Sequence, residues 1–280
     1  MTVDRSRLPN LVVIGAQKCG TTSLHYYLSA HPQISMSSDK ELDFFIEELN
    51  WRRGLEWYAS HFNPAAAVRG ESSPNYTALH LFPGVAGRMQ RVIPDARLIF
   101  VVRDPVDRLV SHWVHSYAKG NESRLMHEVL EDDRYLSRSR YAMQLRPFLD
   151  AFPRERILIL EMDDLKHHRH ETMRAVYEFL GVDPTFRSLL FWRELHRSSA
   201  KRRKTALGLR ISNSRVGAWV DSLPARWRSD VQKLLYWPFS RPIDRPVLSP
   251  DDRRRLADRL APDVEEFRAM TGRSFSRWTL

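Results

Sequence analysis

The segment from Leu11 to Leu24 places the strongest constraint on the fold, because an apolar run is followed at once by a turn between two glycines. Residues 11–15 read Leu-Val-Val-Ile-Gly, as in a buried strand, and the residues after Gly20 have the spacing of an amphipathic helix. Gly15 and Gly20 can adopt backbone conformations that are closed to other residues. The first N–H groups of the helix point to one place, where the helix dipole favours negative charge. The pattern therefore predicts a strand, a turn and a helix that bind an anion.

The position of Lys18 separates this turn from a nucleoside-triphosphate loop. Residues 15–22 read G-x-x-K-x-G-T-T, whereas the triphosphate loop reads G-x-x-x-x-G-K-[ST], with its lysine after the second glycine. A kinase or NTPase also needs an aspartate that holds Mg²⁺ at the end of a strand, but the apolar run over residues 97–102 is followed by Arg103, with Asp104 one residue late. We therefore expect a different phosphate ester as the ligand and no metal site.

A second apolar run, residues 97–102, predicts another buried parallel strand, which leads directly into Arg103. Pro105 suits the first turn of a following helix, where its missing N–H costs nothing, and Ser111 comes two turns later. Ligands of open α/β sheets bind beyond the carboxyl ends of the strands, so Arg103 is a candidate binding residue. An ion pair between Arg103 and Asp104, and a passive Ser111, are the alternatives.

Together the two segments resemble the 5′-phosphosulfate loop and the 3′-phosphate motif of sulfotransferases that use 3′-phosphoadenosine-5′-phosphosulfate (PAPS). The resemblance implies that the lysine and the loop amides hold the 5′-phosphosulfate, while the arginine and serine of the second motif bind the 3′-phosphate. By position, the first group is Lys18, Cys19, Gly20, Thr21, Thr22 and Ser23, and the second is Arg103 and Ser111. The Cys19 side chain itself reads as inert filler rather than as a nucleophile.

Three further segments extend the resemblance, which covers about residues 8–185. Residues 40–45 read K-E-L-D-F-F and are similar to the K-E-x-x-F-F segment of heparan-sulfate-type sulfotransferases, in which the glutamate is the catalytic base. Residues 70–76 are similar to the G-E-K-[ST]-P-x-Y of that group, with Ser72 in place of a substrate-facing lysine, and residues 141–145 match its Y-x-x-x-L. The resemblance implies Glu41 as the base.

The sequence leaves two alternatives to Glu41 as the base. The tetrad from Lys40 to Asp43 could instead be a charge cluster at the start of a helix. A histidine is the base in small-molecule sulfotransferases, and the candidates here are His61, His80, His112 and His115.

The activity implied is in-line transfer of the sulfuryl group of PAPS to a hydroxyl or amine of an acceptor, with Lys18 and Glu41 as the catalytic residues. The expected acceptor is a carbohydrate or glycolipid. The alternatives are a hydroxyl or phenol of a natural product or other small molecule and, outside catalysis, a protein that binds polyanions or membranes.

Alternating apolar runs and helical stretches predict an α/β fold, with a P-loop-like parallel sheet of about five strands flanked by helices. We predict one domain over residues 1–280, with a core at about 8–195 and a basic helical extension at about 196–280. The predicted strands are 11–15, 33–36, 67–71, 97–102 and 156–161. The predicted helices are 21–30, 83–92, 106–118, 140–151, 170–180, 225–236 and 250–269, with a loop over 237–243.

The formal net charge of +10 lies entirely in the last third of the chain, because acidic and basic residues balance over residues 1–192. Such an excess attracts anionic partners. Contact with an anionic membrane is predicted and nucleic-acid binding is not. The resemblance adds a basic loop over the 3′-phosphate, for which the candidates are Lys201, Arg202 and Lys204; a solvated charge run is the alternative.

Cysteine content and hydropathy bear on the compartment. The single cysteine, Cys19, cannot form an internal disulfide and is typical of a reducing compartment. The sequence has no run of about 18 apolar residues and no apolar stretch after its first charges. We therefore expect a cytoplasmic protein, of open oligomeric state.

Overall fold

A computed structural model describes residues 4–192, 202–212, 214–221, 231 and 234–280. Within these residues, five parallel strands form one sheet in the order β2-β3-β1-β4-β5. The strands are β1 (Leu11–Gly15), β2 (Ile34–Met36), β3 (Val68–Ser72), β4 (Arg97–Val102) and β5 (Ile157–Glu161). The predicted fold class and all five predicted strands are confirmed, with boundaries within one residue.

The central strands β1 and β4 are apolar runs, as expected for strands that are buried on both faces of a parallel sheet. All five residues of β1 are buried, and in β4 only Arg97 is partly exposed. The helices are α1 (Thr21–Ser29), α2 (Gly54–Ala59), α3 (Val85–Val92), α4 (Pro105–Lys119), α5 (Asp133–Leu136), α6 (Tyr141–Ala151), α7 (Met162–His167), α8 (Arg169–Leu180), α9 (Ala206–Ser212), α10 (Arg215–Asp221) and α11 (Pro250–Thr271). The helix predicted over 225–236 lies largely outside the described residues. No helix in the described part of the chain is both long and apolar enough to cross a membrane.

The order of the strands determines where in the sheet a ligand site is expected. The chain leaves β1 for the β2–β3 side of the sheet and later returns to the other side with β4, so the direction of winding reverses at β1. The carboxyl ends of β3, β1 and β4 therefore lie side by side, and a crevice at such a reversal is where α/β sheets bind ligands.

The last residues of the chain belong to the same core as the sheet. Phe267 of α11 is buried, and its ring stacks on those of Phe275 and Trp278 with centroids 5.0 and 6.1 Å away. Glu161, at the end of β5, pairs with Arg273 at 2.9 Å. The tail after α11 is thereby fixed against the carboxyl edge of the sheet.

A second, two-stranded sheet corrects the prediction of a loop over 237–243. Arg202–Lys204 (β6) pairs antiparallel with Ser240–Pro242 (β7). A proline is compatible with such an edge strand because the edge needs no donor from it. Local sequence does not indicate this pairing, since the two partners are far apart in the chain.

Candidate active site

The turn after β1 has the geometry that its glycines predict. A Cβ at Gly15 would collide with the side chain of Thr77, and Gly20 has a φ of 88°. Gly20 is the N-cap of α1 and has no side chain with which to cap the helix. The first N–H groups of α1 are therefore the donors that an anion would use.

Lys18 stands in this turn with a φ of 70°, a conformation that is uncommon for a residue with a Cβ. Among the described residues, four non-glycine residues have positive φ, and Lys18, Glu41 and Asp43 are three of them. Such strain persists only where the surrounding structure imposes it, and it concentrates at functional sites. Both predicted catalytic residues thus share an independent mark of a functional position.

Arg103 follows β4 and is largely buried, with 12% of its side chain exposed. Its guanidinium lies 3.5 Å from Asp107, one turn along α4. Asp104 does not pair with Arg103; it caps α4 by accepting from the N–H of Asp107 at 2.9 Å. Ser111 is buried within α4. The alternative in which Arg103 is neutralised by Asp104 is therefore wrong.

Tyr141, the first residue of α6, joins the two predicted phosphate-binding segments. Its hydroxyl lies 3.4 Å from Cys19 Sγ, donates to the carbonyl of Arg103 at 3.0 Å and accepts from the N–H of Arg103 at 3.4 Å. Burial raises the pKa of the Cys19 thiol, so the thiolate is disfavoured. The Cys19 side chain is therefore structural, and any contact of this residue with a cofactor must come from its backbone.

Glu41 is attached to the end of β3, since its N–H donates to the carbonyl of Ser72 at 3.0 Å. Its carboxylate is half exposed, and Lys40 Nζ lies 2.7 Å from Oε1. Residues 40–43 do not begin a helix, so the alternative of a helix-terminal charge cluster is wrong. The three strand ends β3, β1 and β4 thus present Glu41, Lys18 and Arg103 at one edge of the sheet.

Comparison with known proteins identifies the family of the chain. The sulfotransferase domain model matches residues 8–231. This chain belongs to the sulfotransferase family. Human bifunctional heparan sulfate N-deacetylase/N-sulfotransferase 2 is 28% identical over 202 residues, which are 64% of this chain and 22% of the relative. The membrane-associated sulfotransferase kil1 of Dictyostelium discoideum is 40% identical over 123 residues, which are 41% of this chain and 25% of the relative.

The chain therefore spans about a quarter or less of the length of these curated relatives. A sulfotransferase structure from Alicyclobacillus acidocaldarius shares the fold, with a TM-score of 0.70 and 24% identity over 97% of this chain and 99% of that chain.

Glu71 holds the Glu41 loop in place, a role that its sequence motif alone does not reveal. Its fully buried carboxyl accepts from the hydroxyls of Tyr58, Ser73 and Tyr76 at 2.5, 2.6 and 2.7 Å. Burial raises the pKa of Glu71 to about 7, against the effect of these hydrogen bonds. Ser73 Oγ also accepts from the N–H of Asp43 at 3.0 Å. The glutamate, serine and tyrosine of the 70–76 motif thus form one buried support for the loop.

A chain of polar contacts beside Glu41 was also missed. Asn75 donates to Asp43 Oδ2 at 3.1 Å, and Arg138 donates to Asn75 Oδ1 at 3.3 Å. Burial raises the pKa of Asp43 to about 6, and the negative charge of Glu41 adds to the shift. Burial lowers the pKa of Arg138 to about 10. The only signal in the sequence was that Asp43 and Asn75 belong to the two motifs that meet here.

The histidines differ in how well they could serve as a base. Burial lowers the pKa of His80 to about 4 and depresses that of His112 further below its ordinary value. His25, which the sequence analysis did not consider, lies 3.2 Å from Ser72 Oγ, and burial together with Lys40 lowers its pKa to about 4. A base works best with a pKa near the working pH, so these three histidines are weak candidates.

The predicted basic loop is described in part. Lys201 lies outside the described residues, and Lys204 is the last residue of β6. Arg202 donates to Ser240 Oγ at 2.9 Å and its guanidinium stacks 4.1 Å over the ring of Trp237. These contacts hold Arg202 against β7, so its role in cofactor binding stays a prediction. Among the described residues, no cluster of His, Cys, Asp and Glu could hold a metal ion.

Proposed function

We propose that this sulfotransferase transfers the sulfuryl group of PAPS to a hydroxyl or amine of an acceptor, with Lys18 and Glu41 as its catalytic residues. The observation that carries the proposal is the placement of Lys18 after β1, of Arg103 after β4, and of Glu41 at the end of β3, to which its N–H is hydrogen-bonded. A phosphate ester with two separate anionic groups and an acceptor hydroxyl need such a combination of two cations and one carboxylate.

The residues present fit PAPS. The turn from Gly15 to Gly20, with Lys18, Thr21, Thr22 and Ser23, would hold the 5′-phosphosulfate, and Arg103 with Ser111 would hold the 3′-phosphate. A side chain at Gly15 would close up this turn, because its Cβ would meet Thr77. When bound, PAPS supplies the sulfuryl group, and its 5′-phosphate is the leaving group.

Lys18 and the first amides of α1 stabilise negative charge at the 5′-phosphate end of the site. Sulfuryl transfer resembles phosphoryl transfer, in which positioning and charge stabilisation supply most of the catalysis. Glu41 takes up the proton of the acceptor, since its carboxylate is half exposed and its backbone is fixed to β3. Lys40 orients that carboxylate through their 2.7 Å ion pair.

A carbohydrate or glycolipid is the favoured acceptor class, supported by the similarity to the heparan sulfate enzyme. Ser72 supports the alternative of a small-molecule hydroxyl or phenol, because it is fully buried and bonded to His25, and so places no cation at the acceptor side. A non-catalytic protein that binds polyanions or membranes would leave the strained Lys18 and Glu41 without a role. Membrane contact and cytoplasmic location stay predictions.

The proposal is tested by incubating the protein with ³⁵S-labelled PAPS and a panel of neutral sugars, glycolipids, glycosaminoglycan fragments and phenols. We expect labelled product from at least one sugar-containing acceptor. Label transfer to phenols alone would show that the acceptor belongs to the small-molecule class. Binding of heparin or anionic vesicles without any affinity for PAPS would contradict the enzymatic function.

A further inference from the structure

We infer that Tyr141 is a positioning residue that couples the two phosphate sites, so that a nucleotide carrying both the 3′- and the 5′-phosphate binds more tightly than two independent sites would allow. The inference rests on the proposed function, because it takes the turn after β1 and the segment after β4 as the two phosphate sites.

The hydroxyl of Tyr141 contacts both sites at once. On the β4 side it bonds the N–H and the carbonyl of Arg103, and on the β1 side it contacts Sγ of Cys19, the residue after Lys18. The backbone of Arg103 is thus held at two atoms by one side chain. A displacement of the turn or of Arg103 must strain the contacts that Tyr141 makes with the other.

The hydroxyl of Tyr141 uses its donor and its acceptors in this junction. A tyrosine hydroxyl has one proton and two lone pairs. The proton goes to the carbonyl of Arg103, one lone pair accepts from the N–H of Arg103, and the other side of the oxygen faces the thiol of Cys19 at 3.4 Å. Burial raises the pKa of both Tyr141 and Cys19, which keeps both groups protonated and able to donate. The junction therefore needs the hydroxyl of a tyrosine at position 141.

The ring of Tyr141 cannot move easily, because aromatic side chains enclose it. It is fully buried, with the rings of Phe100, Phe267 and Trp278 at 5.9, 5.7 and 5.6 Å. The C-terminal tail closes the arrangement, since Thr279 donates twice to Asp104, the residue after Arg103, at 2.7 and 2.8 Å. Because this junction is already rigid, little conformational entropy is lost in ordering the two sites when the nucleotide binds.

The test is calorimetric binding of two nucleotides, 3′-phosphoadenosine 5′-phosphate (PAP) and adenosine 5′-monophosphate (AMP), to the wild-type chain and to Tyr141→Phe. The variant keeps the ring and removes only the hydroxyl. The ratio of the Kd for AMP to the Kd for PAP measures how much the 3′-phosphate adds to the binding affinity. We expect this ratio to fall about 5- to 10-fold in Tyr141→Phe, the usual effect of losing one or two hydrogen bonds.

Two further variants separate coupling from a purely structural effect. Tyr177→Phe is the matched control, because Tyr177 is a buried tyrosine of α8 whose hydroxyl has no hydrogen-bond partner among the described residues; its ratio should equal that of the wild type. Cys19→Ala removes the contact on the β1 side, together with the long contact of the thiol with the carbonyl of Gln17 at 3.8 Å, and should lower the ratio by a smaller factor.

An unchanged ratio in both Tyr141→Phe and Cys19→Ala would overturn the inference, as would an equal loss of affinity for both nucleotides. A wild-type chain that fails to bind PAP would instead overturn the proposed function.

Discussion

At the scale of single residues, the site is marked by side chains whose backbones are strained or whose charges are buried. Lys18 and Glu41 have φ values of 70° and 66°. Their motifs made both predictable from sequence. The strain was not predictable, because it arises from the contacts of Glu41 with β3 and from the turn around Lys18. Asp43 and Arg138 were not predicted for the same reason: their partner, Asn75, is distant in the chain.

Glu41→Gln tests the base. The substitution keeps size and hydrogen bonding but removes the proton acceptor, so kcat should fall about 10²-fold or more, while the Kd for PAP stays within about twofold. Glu48→Gln is the matched control, an exposed glutamate of the same loop whose loss should change neither quantity. Near-normal kcat in Glu41→Gln would transfer the role of base to another residue.

Arg103→Ala and Lys18→Ala separate binding from catalysis. In the proposed site, Arg103 binds the 3′-phosphate, which does not react, so its loss should raise the KM for PAPS about 10-fold or more with little change in kcat. The proposed role of Lys18 is to stabilise the charge that develops on the 5′-phosphate, so its loss should also lower kcat, by about 10²-fold. Steady-state kinetics distinguishes the two variants. Lys119→Ala, at the exposed end of α4, is the control and should change neither constant. An unchanged KM for PAPS in Arg103→Ala would remove the 3′-phosphate assignment.

At the scale of elements, the strands and the turn after β1 were predictable because each is encoded by adjacent residues. Apolar runs mark buried parallel strands, and glycines mark the turn. The β6–β7 sheet was not predictable from sequence, because each of its strands has only three residues and the two strands are far apart in the chain. The support of the Glu41 loop by Glu71 likewise depends on residues brought together only by the fold.

Glu71 makes the stability of this support dependent on pH. Its pKa is raised from an ordinary value of 4.5 to about 7, so the folded chain holds a proton that the unfolded chain releases. The contribution of this group to the free energy of unfolding should therefore fall by about 1–3 kcal/mol as the pH rises from about 5 to 7.5. Urea unfolding over this range checks it, because the dependence on pH should lose this falling contribution in Glu71→Gln and keep it in Glu48→Gln. Parallel slopes in all three chains would show that Glu71 does not titrate there.

At the scale of the whole molecule, the C-terminal tail completes the core and reaches the site. Phe275 and Trp278 are buried among core aromatics, and Thr279 binds Asp104. The sequence predicts an extension over this region, because nothing local shows that a short aromatic tail returns to the sheet. Composition located the positive charge but not this packing.

Trp278→Ala should lower the free energy of unfolding by about 3–5 kcal/mol, as expected for removing a large buried aromatic side chain. It should also weaken PAP binding, because Trp278 packs against Tyr141. Trp237→Ala is the control: this tryptophan is 62% exposed, and its loss should lower stability by about 1 kcal/mol or less. Equal losses in the two variants, measured by urea unfolding, would mean that the tail is not part of the core.

The most direct test of the account is whether the chain distinguishes PAP from ATP. Arg103 and Ser111 are assigned to the 3′-phosphate, which ATP lacks, and Lys18 stands where a triphosphate loop has no lysine. A ligand that binds only the folded chain raises its melting temperature. We predict that PAP raises the melting temperature by several degrees at concentrations at which ATP, with or without Mg²⁺, has little effect. An equal shift with the two nucleotides, or a larger one with ATP and Mg²⁺, would contradict the assignment of this site to PAPS.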